Sequence, residues 1–178
     1  MVPLLTSKRL NLEKLSTRFC SQEYVNWLND PRVFRYLESG GDYTLEKLRS
    51  YLEKVEANPD MLFWAILLKE SGKHIGNIKI DPVEWKHGRA HYGILVGDAT
   101  EWNKGYAREA SETVLSYCFR ELHLRKITLG VVSKHMSAVK LYQSLGFRIE
   151  GVLKSHNMYE QEYCDVDVMA LFNPEFTS

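Results

Sequence analysis

Residues 93–110 read GILVGDATEWNKGYAREA, and this stretch decides the fold. Its first part continues a short apolar, partly β-branched run, which predicts a buried strand over residues 90–96. Its second part is a polar loop that contains Gly105 and leads into a helix predicted over residues 107–122. A glycine-containing loop at a helix N-terminus presents unpaired backbone N–H groups and the positive end of the helix dipole. The stretch therefore predicts an anion site, with phosphate as the natural occupant.

The loop alone leaves two interpretations open, a phosphate site or an ordinary connection between a strand and a helix. Gly105 would let the backbone approach a pyrophosphate closely, and Lys104 and Arg108 add positive charge beside it. The loop lacks the G-x-x-x-x-G-K-[ST] spacing of a Walker loop and the triple glycine of a dinucleotide-binding fingerprint. Nucleotide hydrolysis and hydride transfer are therefore disfavoured.

The composition predicts one soluble domain. The chain has 178 residues, with 23 Lys and Arg against 23 Asp and Glu, so its formal net charge is zero. This balance, without a long block of one sign, disfavours a nucleic-acid or membrane partner. The cysteines Cys20, Cys118 and Cys164 lie far apart without C-x-x-C spacing, so we expect a reducing, cytoplasmic location, no disulfide framework and no metal site. No apolar run reaches the roughly 20 residues of a membrane span.

Hydrophobic periodicity predicts the order β-α-α-β-β-β-α-β-α-β-β, an α/β (α+β) mixed sheet with helices on both faces. The predicted strands are residues 8–15, 61–69, 74–80, 90–96, 126–132, 147–153 and 166–172. Pro31 is interpreted as the stop of the first helix, and Gly146 as a left-handed C-cap of the fourth. Cys118 lies on the buried stripe of the third helix and is assigned no functional role. A polar connection that includes residues 156–159 is expected between the last two strands.

Three segments together resemble the GCN5-related N-acetyltransferase (GNAT) superfamily. They are residues 93–97 (GILVG), residues 102–110 (WNKGYAREA) and residues 141–147 (LYQSLGF). The resemblance runs from about Ser7 to Phe172 and is strongest to the branch of ribosomal-protein alanine and sugar-nucleotide amine acetyltransferases. It implies one N-acetyltransferase domain over residues 7–173, splayed fourth and fifth strands, and acetyl-coenzyme A as co-substrate without a metal.

The resemblance also implies which residues bind the cofactor. The pantetheine is expected to pair with the backbone near Leu95 and Val96. The pyrophosphate is expected on Asn103, Lys104, Gly105, Tyr106, Ala107 and Arg108. The loop departs from the family pattern at Trp102, where Gln or Arg is general, and at Asn103, where this branch has glycine. His135 stands where an asparagine commonly contacts the cofactor, so it either replaces that contact or only caps the fourth helix.

Acetyl transfer requires a neutral amine to attack the thioester and a proton donor for the departing thiolate. Tyr142 matches the tyrosine whose hydroxyl points at the cofactor sulfur in this family, and it is the expected acid. His91, on the fourth strand, is the candidate base, because an imidazole titrates near neutral pH. Weaker alternatives are Glu84, His74 and Glu150. A dedicated base is not needed if ordered water carries the proton away and if holding the amine and the thioester in the reactive orientation supplies most of the rate enhancement.

The acceptor is expected between the first two helices and the connection of the last two strands. The candidate acceptor residues are Asp30, Arg32, Tyr36, Glu38, Asn157 and Tyr159. Residues 27–36 resemble acetyltransferases of surface-polysaccharide pathways, which favours a small-molecule amine such as an amino sugar nucleotide. A protein N-terminus is the alternative acceptor, and a catalytically silent coenzyme A-binding sensor or interaction module is the alternative function. A polyamine is disfavoured because these segments are not strongly acidic. The chain is expected to be a monomer or a homodimer.

Overall fold

A computed structural model describes residues 2–37 and 40–176 of the chain. Its strands are β1 Leu5–Thr6, β2 Leu10–Lys14, β3 Leu62–Leu68, β4 His74–Glu84, β5 Arg89–Val96, β6 Lys126–Val132, β7 Arg148–Tyr159 and β8 Glu162–Phe172. Its α-helices are α1 Gln22–Leu28, α2 Pro31–Phe34, α3 Leu45–Ala57, α4 Tyr106–Arg120 and α5 Met136–Ser144. Within these ranges no helix is long and apolar enough to cross a membrane.

All eight strands form one sheet in the order β1-β2-β3-β4-β5-β6-β8-β7. Neighbouring strands are antiparallel except β5 and β6, which run parallel. The mixed α/β sheet predicted from the sequence is confirmed. The predicted splay is also present: β5 and β6, the fourth and fifth strands of the sequence prediction, pair only where residues 89–91 face residues 126–128.

The helices cover both faces of the sheet and enclose two apolar cores. One core lies under α4 and α5 and contains Trp64, Tyr92 and Cys118, so Cys118 packs in the interior as predicted. The other lies under α1 and α3 and contains Trp27 and Leu52. The central strands therefore carry apolar side chains on both faces of the sheet, because each face packs against a layer of helices.

The N-terminal region differs from the sequence prediction in two places. The strand expected over residues 8–15 is present as β2, but the two-residue strand β1, which the sequence did not predict, precedes it: the Ser7 N–H donates to the Leu10 carbonyl at 2.9 Å and folds β1 back onto β2. Pro31 does not only stop a helix: it occupies the first turn of α2, where a missing N–H costs nothing. The Asp30 carboxylate caps this helix by accepting from the Arg32 N–H at 2.9 Å.

The polar connection expected between the last two strands does not exist. Strands β7 and β8 form one long hairpin joined at Glu160 and Gln161, both of which have positive φ, 49° and 64°. Such a two-residue turn usually carries Asn or Gly, so this turn gave no signal in the sequence. Residues 156–159 consequently belong to β7, and two register shifts bend the strand before them.

Candidate active site

The gap between β5 and β6 opens immediately after His91 and Thr128. Among the described residues, β5 pairs only with β4 from Tyr92 to Val96, so its edge towards β6 has no strand partner there. The Tyr92 side chain fixes β5 to α4, because its hydroxyl lies 2.7 Å from Ser111 Oγ. Ser111 in turn donates to the Ala107 carbonyl at 2.6 Å. The gap and the first turn of α4 are thus held in one fixed arrangement.

The loop before α4 turns its backbone N–H groups outward. Asn103 and Gly105 both have positive φ, 61° and 81°, and Gly105 is the N-cap of α4. Within the described ranges, the backbone N–H groups from Asn103 to Arg108 donate to no acceptor, and the first helical bond comes from Glu109 to Gly105. A row of unpaired amides at the N-terminus of a 15-residue helix fits an anion such as a pyrophosphate.

Contacts of its own side chains hold this loop in place. The Trp102 indole N–H donates to the Val96 carbonyl at 2.7 Å, so that carbonyl, predicted to face the pantetheine, already has a donor. Lys104 Nζ lies 2.8 Å from the buried Glu101 carboxylate. Arg108 pairs with Glu112 at 2.8 Å, but both side chains are more than half exposed, and such a pair is easily exchanged for another anion.

A second set of contacts holds the loop from the side. The Glu109 carboxylate accepts from Ser7 Oγ at 2.7 Å and from the Arg9 backbone N–H and Nε, each at 2.6 Å. Arg9 Nη1 also donates to the Lys104 carbonyl at 2.9 Å, and its guanidinium lies 4.5 Å from the Tyr106 ring centroid. Burial alone would raise the pKa of Glu109, but these hydrogen bonds outweigh it and lower the pKa. The sequence analysis missed Ser7, Arg9 and Glu109, because partners 100 residues apart leave no local pattern.

Tyr142 lies on α5 with its ring in the core next to the gap. The ring packs edge-on against Tyr92 at 5.9 Å and against Phe147 at 6.0 Å between centroids. Its hydroxyl makes no hydrogen bond to a described residue, and the hydroxyl oxygen keeps some contact with solvent. Burial raises the pKa of Tyr142 to about 12, so the hydroxyl keeps its proton at neutral pH. These properties suit a proton donor.

The candidate bases lie in different surroundings. His91 is exposed at the last pair before the gap, with Nδ1 3.5 Å from Thr128 Oγ1. Since side chains alternate along a strand, His91 points to the face opposite Tyr92 and its neighbour Tyr142. Its role stays a prediction.

The weaker candidate bases are each occupied by other contacts. Glu84 pairs with Arg89 at 2.8 Å, and Glu150 pairs with Lys126 at 2.7 Å. His74 is enclosed by aromatic rings, and burial lowers its pKa. The described contacts therefore do not direct any of these three side chains at the gap as a free base.

Four predicted residues form a cluster at the N-terminal end of α5. The Tyr36 ring stacks on His135 at 4.7 Å and meets Tyr159 edge-on at 6.0 Å. Asn157 Nδ2 donates to the Tyr159 hydroxyl at 2.9 Å. Burial, with a contribution from the Arg35 charge, lowers the pKa of His135, so the ring is neutral at neutral pH. We call Tyr36, His135, Asn157 and Tyr159 the aromatic cluster.

The remaining acceptor candidates do not join the aromatic cluster through described contacts. Asp30 and Arg32 form a salt bridge with each other at 2.5 Å, and the hydrogen bonds from Arg32 lower the pKa of Asp30. Both sit at the start of α2, where Asp30 is a helix cap. Glu38 lies outside the described residues. His135 is the N-cap residue of α5, but its side chain makes no capping hydrogen bond.

Comparison with known proteins places the chain in a family. The family model described as "Acetyltransferase (GNAT) domain" matches residues 9–148. The chain belongs to the GNAT acetyltransferase family. It is therefore an acetyl-coenzyme A-dependent acyltransferase that acts on an amine. Within the described ranges no three His, Cys, Asp or Glu side chains are grouped as metal ligands.

Full-length relatives agree with this assignment. An uncharacterized N-acetyltransferase, p20, of Bacillus licheniformis is 26% identical over 179 residues, 97% of each chain. The spermidine N(1)-acetyltransferase of Escherichia coli K12 is 27% identical over 155 residues, 86% of this chain and 81% of the relative. A Vibrio cholerae spermidine N-acetyltransferase, solved with CoA and spermine, superposes with a TM-score of 0.82 at 24% identity, covering 94% of this chain and 97% of that one.

These relatives do not support the narrower branch named from the sequence. They are spermidine or unspecified N-acetyltransferases, and neither the ribosomal-protein nor the sugar-nucleotide assignment gains from them. Most of the motifs that suggested the branch, residues 93–97, 102–110 and 141–147, are assigned to the cofactor, which is the same throughout the family; only residues 27–36 pointed to the acceptor. Motifs for the cofactor carry little information about the amine.

Proposed function

We propose that residues 7–173 form a single N-acetyltransferase domain that moves the acetyl group of acetyl-coenzyme A to the primary amine of a small molecule. The observation that supports this most is the row of unpaired N–H groups from Asn103 to Arg108 beside the gap between β5 and β6. Acetyl-coenzyme A would supply the activated thioester. The residues of this chain would bind the cofactor, hold the acceptor amine and transfer the protons.

The binding part of the proposal follows from shape and charge. The amides of residues 103–108 would hold the pyrophosphate, and Arg108 can leave its exposed partner to join them. The open edge of β5 near Leu95 and Val96 would pair with the amide groups of the pantetheine, taking the place of a neighbouring strand. His135, neutral and half-buried at the start of α5, would line the same side of the gap.

Tyr142 would donate the proton that the departing thiolate needs. A group with a pKa of about 12 is protonated at neutral pH, so its O–H can donate to the sulfur while the C–S bond breaks, and water then returns a proton to the phenol. The contacts with Tyr92 and Phe147 fix the ring, so the hydroxyl has a defined direction. His91 or a relay of water would take the proton from the amine, since alkyl ammonium groups must lose it before attack.

The aromatic cluster would receive the acceptor, because it lies at the end of the helix that carries Tyr142. The carboxylates near it already have cationic partners: Glu160 with Arg35, Glu162 with Lys134, and Asp165 with Lys154. A polycation would compete with these cations for the same carboxylates, whereas a monoamine such as an amino sugar nucleotide does not need them. The spermidine acetyltransferases among the relatives support a small-molecule amine and make spermidine the main competitor.

The proposal is tested by measuring free thiol released from acetyl-coenzyme A in the presence of separate amines. The panel contains amino sugar nucleotides, spermidine, single amino acids and peptides with free N-termini. Turnover with a monoamine and little with spermidine is expected. Turnover only with peptides would establish the protein-directed alternative. Binding of coenzyme A without turnover on any amine would establish the sensor, and absence of both would overturn the proposal.

A further inference from the structure

Arg9 reaches the predicted phosphate loop from a distant part of the sequence. It lies in the turn between β1 and β2, and its guanidinium bonds the Lys104 carbonyl and the Glu109 carboxylate, on either side of Gly105. Its Nη2 atom stands 3.4 Å from the point that a Cβ on Gly105 would occupy. The guanidinium therefore lies directly against the N-cap residue of α4.

The guanidinium has donors to spare at this position. Its Nε–H is used by Glu109 and one Nη1–H by Lys104, whereas Nη2 donates to no residue in the described ranges. The planar fork of Arg matches two oxygens of a phosphate. Lys104, by contrast, is held by the buried Glu101. Arg9 therefore offers the loop a cation whose remaining hydrogens are free.

Glu109 makes this cation necessary. Its carboxylate is ionised in the first turn of α4, the place where an incoming pyrophosphate would also collect. Two anions at one helix N-terminus repel each other unless a cation lies between them. Arg9 contacts Glu109 at 2.6 Å while its side chain stays 43% exposed, so it neutralises the carboxylate and still faces solvent.

We propose that Arg9 is a cofactor-binding residue: it fixes the loop through Lys104 and Glu109 and presents Nη2 to the pyrophosphate of coenzyme A. This inference rests on the proposed function. It assigns the recognition of the phosphate group to a residue that precedes the loop by about a hundred positions and has no place in the loop motif.

The test is titration calorimetry of the purified full chain with coenzyme A and with ADP. Arg9→Met is expected to weaken binding of both by about tenfold or more, the effect of losing a charge-assisted hydrogen bond. Arg9→Lys keeps the positive charge but loses the planar guanidinium, so its affinities should lie between those of wild type and Arg9→Met. Adding Glu109→Gln to Arg9→Met should recover part of the affinity, because it removes the repelling carboxylate. The KM for S-acetylpantetheine, which has no phosphate, should not change.

The matched control is Arg89→Met, which breaks an exposed Arg–Glu pair of similar length away from the loop and should leave both affinities unchanged. Circular dichroism checks that each variant folds. If Arg9→Met does not fold, the affinities of Arg9→Lys and of the double variant for coenzyme A and ADP are compared with wild type instead. Arg9 variants within about twofold of wild type overturn the inference, as does an equal loss with S-acetylpantetheine. If the wild type binds neither coenzyme A nor ADP, the proposed function falls and this inference falls with it.

Discussion

The phosphate loop of residues 103–108 and the aromatic cluster use their polar groups in opposite ways. The backbone N–H groups of the loop have no acceptor in the part of the chain that the structure describes, while the side chains of Trp102 and Lys104 bond to Val96 and Glu101. In the aromatic cluster the side chains contact one another, as Tyr36 does with His135 and Asn157 with Tyr159. We therefore propose that the loop is arranged to receive a ligand, whereas the cluster would have to change its own contacts to accept one.

The difference follows from how the two regions are encoded. The loop is one contiguous stretch, so its amides are presented by neighbouring residues, although Arg9 from a distant segment helps to hold it. The cluster joins three distant segments of the chain, since the ring of Tyr36 meets those of His135 and Tyr159. A cofactor common to a family can be recognised by the first kind of site, whereas an acceptor that varies between relatives suits the second.

Tyr142→Phe tests whether the reaction centre is separate from both regions. We expect kcat to fall by about a hundredfold or more, the usual contribution of a positioned proton donor, while affinity for coenzyme A and KM for the amine stay near wild type. Because the pKa of Tyr142 is about 12, activity should not fall through ionisation of this group until the pH is well above 10. Steady-state kinetics as a function of pH measures both effects.

Tyr117→Phe is the control, since it removes a hydroxyl from another partly buried ring, one that packs on Trp64 in the core. A similar kcat for Tyr142→Phe and Tyr117→Phe would contradict the role of Tyr142. An equal loss of coenzyme A affinity would place Tyr142 in the cofactor region instead.

Gly105→Ala tests how far the loop is prepared. A Cβ at φ +81° strains the backbone by roughly 1–2 kcal/mol, and the new atom would stand 3.4 Å from Arg9 Nη2. We expect coenzyme A to bind about tenfold more weakly, measured by calorimetry. Gly72→Ala carries the same kind of strain at φ +69° in an open turn, so it should cost stability without changing affinity. Equal affinities for the two variants would show that the loop conformation does not matter.

Tyr36→Ala tests the aromatic cluster and should have the smallest effect. Losing the ring contacts with His135 and Tyr159 is expected to raise the KM for the amine about three- to tenfold, with affinity for coenzyme A unchanged. Tyr36→Phe keeps the ring and should behave like wild type. If Tyr36→Ala instead weakens coenzyme A binding, the cluster belongs to the cofactor region and the contrast drawn above does not hold.

The sequence predicted what depends on local pattern. The strand before Gly97, the loop, the start of α4 near Ala107 and the left-handed residue Gly146 all follow from neighbouring residues, and Gly146 does have a φ of +95°. The short strand β1 before the first predicted strand and the hairpin at residues 160–161 were missed, because both are set by pairing with other strands.

The candidate site divides in the same way. The loop and Tyr142 could be named from motifs, whereas the Arg9–Glu109 contact could not, since only the folded sheet brings those residues together. The interpretation of Asp30 and Arg32 as acceptor residues stays a prediction. Their mutual salt bridge shows how a pattern that looks functional can also serve as a helix cap.

The short pairing of β5 with β6, three residues on each strand, also bears on how long the protein survives in a cell. Apart from the two-residue pairing of β1 with β2, this is the shortest backbone pairing in the sheet. A ligand that fills the gap beside this pairing binds the folded chain and not the unfolded one, and at a hundred times its Kd adds about 2.7 kcal/mol to the free energy of unfolding. The abundance of the protein would then follow the supply of coenzyme A, with proteases removing more of it when the cofactor is scarce.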